Sequence, residues 1–278
     1  MNLIANRTMD EERALYGSSD ITVKGCRFDG PADGESALKE SRNVTVEDSY
    51  FNLRYPFWHV HGLEISSSEM TDKCRAAIWY SDNIRITGSK LHGIKALREC
   101  FDAEICDSDI ISPEFGWSVK NLVIRDSKAE SEYFLMRSSD ITIDRFELTG
   151  KYSFQYVKNL QITASVLNTK DAFWHAKDVT VKDSVINGEY LGWYSENLTL
   201  INCTIKGTQP LCYCRNLTLI NCRMEDCDLA FERSVIEATV TTPVISIKNP
   251  LSGHITVPYV GEIIRDIPEA LGEVIISG

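Results

Sequence analysis

Apolar residues recur along this chain with a period near nineteen residues, and inside each period they alternate with polar ones. The pattern is plainest where Asn197-Leu198-Thr199-Leu200-Ile201-Asn202-Cys203-Thr204-Ile205 returns nineteen residues later as Asn216-Leu217-Thr218-Leu219-Ile220-Asn221-Cys222-Arg223-Met224. Self-similarity at a fixed short period marks a stacked repeat. Taking the Asn or Asp as the corner of each repeat gives Asp20, Asn43, Gly62, Asn83, Asp102, Asn121, Asp140, Asn159, Asp178, Asn197 and Asn216, spaced by 23, 19 and 21 residues and then by 19 throughout. Positions one, three and eight after the corner are apolar, and position six is Ser or Cys in ten of eleven repeats, with Phe146 the exception. A third apolar run ends before each corner, with Leu38, Phe57, Ile78, Leu97, Leu135, Phe154, Phe173 and Leu211 five residues ahead of it.

Alternation with a period of two predicts strands rather than helix. Three short strands per repeat, with turn residues between them, make one rung of a parallel β-solenoid whose rungs stack about 4.8 Å apart. The expected fold is therefore all-β: a single-domain, right-handed parallel β-helix of about twelve rungs. A leucine-rich repeat is excluded, because it needs helix or 3₁₀ structure where this chain writes another strand. The corner column should form a ladder of Asn and Asp side chains, which tolerate strained turn conformations and bond to nearby backbone.

Residues 1–17 read as an N-terminal cap, 18–233 as regular rungs, and 234–278 as irregular last rungs with a C-terminal cap. Thr8-x-x-Glu11 resembles a capping box, so residues 9–15 are expected as a short helix over the first rung. Residues 244–247, 254–257 and 261–264 read as looser rungs, with 267–271 and 274–276 closing the end.

Composition narrows the partners. The chain has 278 residues, 43% hydrophobic and 25% charged, with a net charge of −11. That balance argues against nucleic acid as partner, which would call for a basic face. No apolar run approaches the roughly 20 residues of a membrane span, and residues 1–10 lack a secretion signal pattern. A cytoplasmic location follows as the expectation, and with it nine reduced cysteines. The sequons at Asn43, Asn197, Asn202 and Asn216 are then products of the repeat. Cys203, Cys222 and Cys212-x-Cys214 invite a zinc reading, but the Ser/Cys column shows that a small residue is wanted there, so no metal and no cofactor are expected.

Two columns carry candidate chemistry. All five tryptophans, Trp58, Trp79, Trp117, Trp174 and Trp193, fall four residues before a corner. The next position holds Glu40, His59, Tyr80, Glu99, Ser118, Arg137, Tyr156, His175, Tyr194 and Tyr213, too polar for a core and so placed outside. Glu99, Trp117, Arg137, Tyr156, Trp174, His175, Trp193 and Tyr194 would line one face. Aromatic rings among charges suit sugars, with Arg for a carboxylate and His or Tyr as base. The plainer account is an outer sheet whose tryptophans cover apolar surface. Two rungs also carry insertions, 29–36 and 71–75, and insertions in repeat proteins map to loops. Asp29, Asp33, Glu35, Lys39 and Glu40 form a candidate functional loop; the acidic residues lack calcium-loop spacing and read as a turn.

The corner ladder and three-strand rungs resemble the pectin-lyase-like superfamily of right-handed parallel β-helices. Phe28-Asp29-Gly30, Asp33-Gly34-Glu35-Ser36 and Leu38-Lys39-Glu40, placed before nineteen-residue rungs, resemble a bacterial β-helix family known only as a domain of unknown function. That resemblance implies a fold and no established activity. Polygalacturonase motifs (Asn-Thr-Asp, paired Asp, Gly-His-Gly, Arg-Ile-Lys) and a pectate-lyase acidic cluster are missing. The leading expectation is an intracellular protein binding a carbohydrate-like ligand on the Trp/Tyr/His face; as an enzyme it would be a lyase, hydrolase or epimerase. The rival is a non-catalytic scaffold using that face for self-association, which allows an oligomer.

Overall fold

The computed structural model describes residues 2–277, and among them there are strands and turns but no helix. The strands stack in parallel into a β-solenoid of about 14 turns among the described residues, against the twelve expected. They fall into two compact units, Met1–Ile141 and Thr142–Gly278.

In the first unit the long strand of each rung starts one residue before the corner: Ser19–Lys24, Arg42–Glu47, His61–Ser66, Asp82–Thr87 and Phe101–Cys106. Each pairs in parallel with the next at equal repeat positions, so Val44 lies beside Leu63 and Leu63 beside Ile84. The register is fixed by burial. Val23, Val46, Ile65, Ile86 and Ile105 are nearly inaccessible, and a one-residue slip would turn all of them outward. The second unit repeats this scheme in Lys158–Thr163, Lys177–Lys182 and Glu196–Ile201. It continues through Val235–Val240 and Ser252–Val257 to Glu273–Ile276, which is a last parallel strand.

The column six residues past the corner is more than a slot for small residues. In the first unit the Ser49, Ser68, Ser89 and Ser108 amides each donate to the hydroxyl of the following rung's serine, at 3.0–3.3 Å. Those hydroxyls donate in turn to the carbonyl two residues behind them, as Ser68 does to Ser66 at 2.8 Å. A bend in a buried strand leaves polar backbone groups without ladder partners, and serine supplies both a donor and an acceptor there.

Two expectations change. The first rung begins at Asn2–Ala5, which pairs with Ser19–Lys24, while Thr8–Met9 pairs with Arg27–Phe28. No helix caps it: the amides of Arg13, Leu15 and Gly17 donate to the Glu35, Ala37 and Lys39 carbonyls, so the donors a helix needs are spent between rungs. The third side of the rung is a strand at Phe57–Trp58, Ile78–Trp79 and Leu97–Arg98 in the first unit, and at Val244–Lys248 and Val260–Ile264 in the second, where Ile247 bridges to Ala230. On the earlier rungs of the second unit that side is a run of turns in which every second residue has positive φ, as at Tyr152 (59°), Phe154 (60°) and Tyr156 (59°). Left-handed backbone at such residues costs roughly 1–2 kcal/mol each. Inter-rung bonds such as Tyr152 N–H to Lys170 O (2.9 Å) and Tyr156 N–H to Trp174 O (2.9 Å) offset it.

Candidate functional site

Every corner residue is left-handed, from Asp20 (φ 54°) and Asn43 (50°) to Asn197 and Asn216 (55° each). That is the backbone reason for Asn, Asp and Gly in this column. The ladder itself differs from expectation. Its amides are exposed and bond side chain to side chain across rungs: Asn43 to Asp20 (2.8 Å), Asn121 to Asp102 (2.6 Å), Asn197 to Asp178 (2.6 Å) and Asn216 to Asn197 (2.8 Å). A short amide on a left-handed corner points along the stack, where the neighbouring corner offers the nearest acceptor.

Gly62 breaks this ladder. It has the corner conformation (φ 79°) but no side chain, and a Cβ there would come within 3.1 Å of the Asn43 amide oxygen. Asn43 therefore has no following amide to accept from, and Asn83 turns to the Asp82 carboxylate of its own rung instead (2.7 Å). At this break a groove of about 730 Å³ opens along the corner column of the first unit. Its walls are Asp20, Asn43, Asn83, Asp102 and Asn121 on one side and Glu64, Arg85 and Glu104 on the other, over a floor that includes the backbone of Val44, Ile84 and Ala103. Arg85 lies 3.3 Å from Glu64 and 3.7 Å from Glu104, and Arg125 reaches Glu104 at 2.7 Å. Four lining carboxylates against one lining guanidinium make the groove acidic. It suits hydroxyl or cationic groups and disfavours anions.

Beside the groove, one residue ahead of the corners, His61 Nδ1 meets the Asp82 carboxylate at 2.6 Å, and two residues earlier His59 Nδ1 meets Glu40 at 3.0 Å. Asp82 thus holds His61 with one oxygen and Asn83 with the other. A carboxylate on one imidazole nitrogen fixes the tautomer and leaves the other nitrogen to face a ligand. Neither His61 nor the groove was singled out in the sequence. The available signal was the single glycine in the corner column.

The expected aromatic face divides between the units. In the first, Trp58 and Trp79 stack at 5.2 Å, and the Arg98 guanidinium sits between the Trp79 and Trp117 rings at 5.0 and 5.1 Å. Glu99 lies 3.5 Å from Arg98 Nε, an ion-pair contact rather than a directed hydrogen bond, since that nitrogen has no bonded acceptor. Arg137 is exposed in the same column. In the second unit Tyr156, His175, Tyr194 and Tyr213 form a continuous stack at 4.9, 5.0 and 4.8 Å, and Trp174 stacks on Trp193 at 5.4 Å. The polar column is outside, as expected. In the second unit, however, its rings spend faces on one another, so they offer no stacking platform between them.

The tryptophans have a structural task. Each indole N–H donates to a carbonyl of the following rung: Trp58 to Ala76, Trp79 to Lys95, Trp117 to Tyr133, Trp174 to Tyr190 and Trp193 to Gln209, all at 2.7–2.9 Å. Where the column holds Gln155, its amide does the same to Asp171 O at 3.2 Å.

The insertion loop is tied down. Asp29 accepts from Asn52 (2.8 Å) and Arg27 (3.2 Å), and the Asn52 bond leads in holding its carboxyl below the usual range. Asp33 and Glu35 both pair with Arg54 at 3.4 Å, Glu40 with His59, and Lys39 lies 5.5 Å over Trp58. Gly34 rests so close to the backbone of residues 10–12 that a Cβ would lie 2.2 Å from a main-chain atom. These contacts make the loop a clasp on the first rungs. The nine cysteines are free thiols, and all but Cys106 are buried. Burial pushes Cys74, Cys100 and Cys227 up to about 12. No helix is long and apolar enough to cross a membrane among the described residues.

Fold and groove together define a parallel β-solenoid with a polar, acidic cleft along its corner ladder. Residues 2–274 match the family described as protein of unknown function (DUF3737), and the chain belongs to that family. No curated protein matches it. Similar solved structures share about a tenth of the sequence. The tailspike protein of E. coli bacteriophage HK620, in complex with pentasaccharide, is 9% identical over 94% of this chain and 67% of its own, with a TM-score of 0.41. The A-module of mannuronan C-5 epimerase AlgE4 from Azotobacter vinelandii is 10% identical over 99% and 89%, with a TM-score of 0.27. PfbA, a surface adhesin of Streptococcus pneumoniae, is 12% identical over 94% and 70%, with a TM-score of 0.32.

Proposed function

We propose that the protein binds a neutral, carbohydrate-like ligand in the corner groove of its first unit. The observation that carries this reading is the interruption at Gly62. On most other rungs a corner amide has a corner side chain on both neighbouring rungs; at Gly62 Asn43 and Asn83 lose that shared neighbour and keep hydrogen-bonding capacity inside a concave space. Groups of that kind, arrayed at about 4.8 Å by the rung spacing, suit the repeated hydroxyls of a linear saccharide. The excess of carboxylates favours a neutral sugar over one that carries a carboxylate, because a like charge in the groove would be repelled.

The test restores the ladder. Gly62→Asn places the usual corner residue on a left-handed backbone that accepts it, and fills the gap next to Asn43. Titration calorimetry against a panel of neutral linear hexasaccharides should show binding by the native protein and at least about a tenfold loss in the variant, the weight of one or two ligand hydrogen bonds. Equal binding by both proteins, or none by the native one, overturns the reading.

A further inference from the structure

The column immediately before the corners is polar in ten of its eleven members: Ser19, Arg42, His61, Asp82, Lys120, Ser139, Lys158, Lys177, Glu196 and Arg215. Phe101 is the exception. It is 48% exposed, in register beside Asp82 on one rung and Lys120 on the next. No other aromatic ring packs on it among the described residues, in contrast to the stacked column two residues away. Nothing in the core asks for a phenyl group at this place.

The surface around it is shaped. Three residues before the corners the column is mostly bulky, with His59, Tyr80, Glu99 and Arg137 in the first unit, but the rung after Glu99 holds Ser118. The missing side chain leaves a hollow of about 600 Å³ bounded by Tyr80, Glu99, Phe101 and Ser118. Its walls are therefore the Phe101 and Tyr80 rings and the Glu99 carboxylate, itself placed by the Arg98 guanidinium clamped between Trp79 and Trp117. Phe101 is followed in the chain by Asp102 and Ala103, which line the corner groove, so hollow and groove lie side by side on the same rung.

The geometry points to this hollow as a saccharide subsite, in which a hexopyranose lays a C–H face on Phe101 while Glu99 accepts hydrogen bonds from its hydroxyls. The assignment rests on the carbohydrate reading of the corner groove and sharpens it. An aromatic face paired with a carboxylate suits a pyranose ring better than an acyclic polyol, since the ring offers an apolar C–H face beside a fringe of hydroxyls.

Calorimetry with the hexasaccharide that binds the native protein tests it, together with saturation-transfer NMR from protein aromatic protons to the sugar. Phe101→Ala should weaken binding about tenfold or more, the scale of an aromatic side chain lost from a buried contact. Phe101→Trp should bind within about threefold of native, because it keeps the platform. Ser118→Tyr should weaken binding as Phe101→Ala does, by filling the hollow; Tyr80, Tyr156 and Tyr194 hold the same column position, so the fold accepts it. Binding lost on Gly62→Asn but unchanged in Phe101→Ala and Ser118→Tyr overturns the subsite and leaves the groove standing. Failure of the native protein to bind any of the hexasaccharides overturns both.

Discussion

Ser68→Ala isolates what the buried serine column contributes. The Ser68 hydroxyl accepts from the Ser49 amide at 3.1 Å and donates to the Ser66 carbonyl at 2.8 Å, while the Ser68 amide donates to Ser89 Oγ at 3.1 Å. Alanine removes the first two bonds and keeps the third. The Ser49 amide is then buried without an acceptor, at about 1–3 kcal/mol, and the lost hydroxyl donor adds about 1 kcal/mol. The sum is about 2–4 kcal/mol, large beside the stability of an ordinary domain. Ser68→Cys should lose roughly half as much, because sulfur serves in this column elsewhere: Cys203 donates to Ile201 O at 3.3 Å. Lys90→Ala is the surface control, since its ion pair with Glu69 is exposed (3.2 Å) and worth less than about 1 kcal/mol. Urea unfolding gives the three differences from midpoint and slope. Amide exchange at Ser49 should also accelerate in Ser68→Ala, as that amide becomes the weak point of its rung. A Ser68→Ala loss below about 0.5 kcal/mol, or one equal to that of Lys90→Ala, refutes the polar account of this column and reduces it to a demand for small size.

Other consequences follow from the same geometry. Asn159→Leu puts a bulky residue on a left-handed corner (φ 53°) and should cost about 1–2 kcal/mol in urea unfolding, while Lys158→Ala beside it should cost less than about 0.5 kcal/mol. Thiol titration should count nine groups in denaturant without reductant and far fewer in the native protein, where burial holds Cys74, Cys100 and Cys227 near 12; fewer than about eight in denaturant would mean a bridge. Asp29 has its carboxyl lowered from 3.8, so its contribution is present above that value and is lost as pH falls through the lowered one. Asn52→Ala removes the leading cause, and unfolding followed from pH 5 downward should show a shallower acid loss than native; an unchanged acid limb would contradict the assignment.

The strand register was legible because a solenoid places each repeat position in one environment, so Val46, Ile65, Ile86 and Ile105 spell out the same buried site rung after rung. The left-handed corners were legible for a similar reason, since Asn, Asp and Gly share the one property that site requires. The polarity of the column holding Tyr156, His175 and Tyr194 marks it as outside but hides its positive φ, because tyrosine and histidine are poor advertisements for that conformation. The tryptophan bonds could not be read either: each acceptor lies sixteen or more residues away and becomes a neighbour only when the rungs stack. Thr8-x-x-Glu11 imitates a helix start and so disguises residues 2–9 as part of a cap. Ile4 and Met9, at the core positions three and eight of a further rung, carried the true signal. Gly62 and Phe101 are the instructive pair. Each departs from its column, and those departures are what the proposed site rests on.

The central claim is that the break at Gly62 makes a ligand site. A crystal structure of the protein soaked with a bound neutral hexasaccharide tests it most directly. The account predicts sugar density lying over the corner column between Asn43 and Asn83, with one pyranose ring on Phe101. Sugar density confined to the Tyr156–Tyr213 ring stack, with the corner groove holding only solvent, would contradict it.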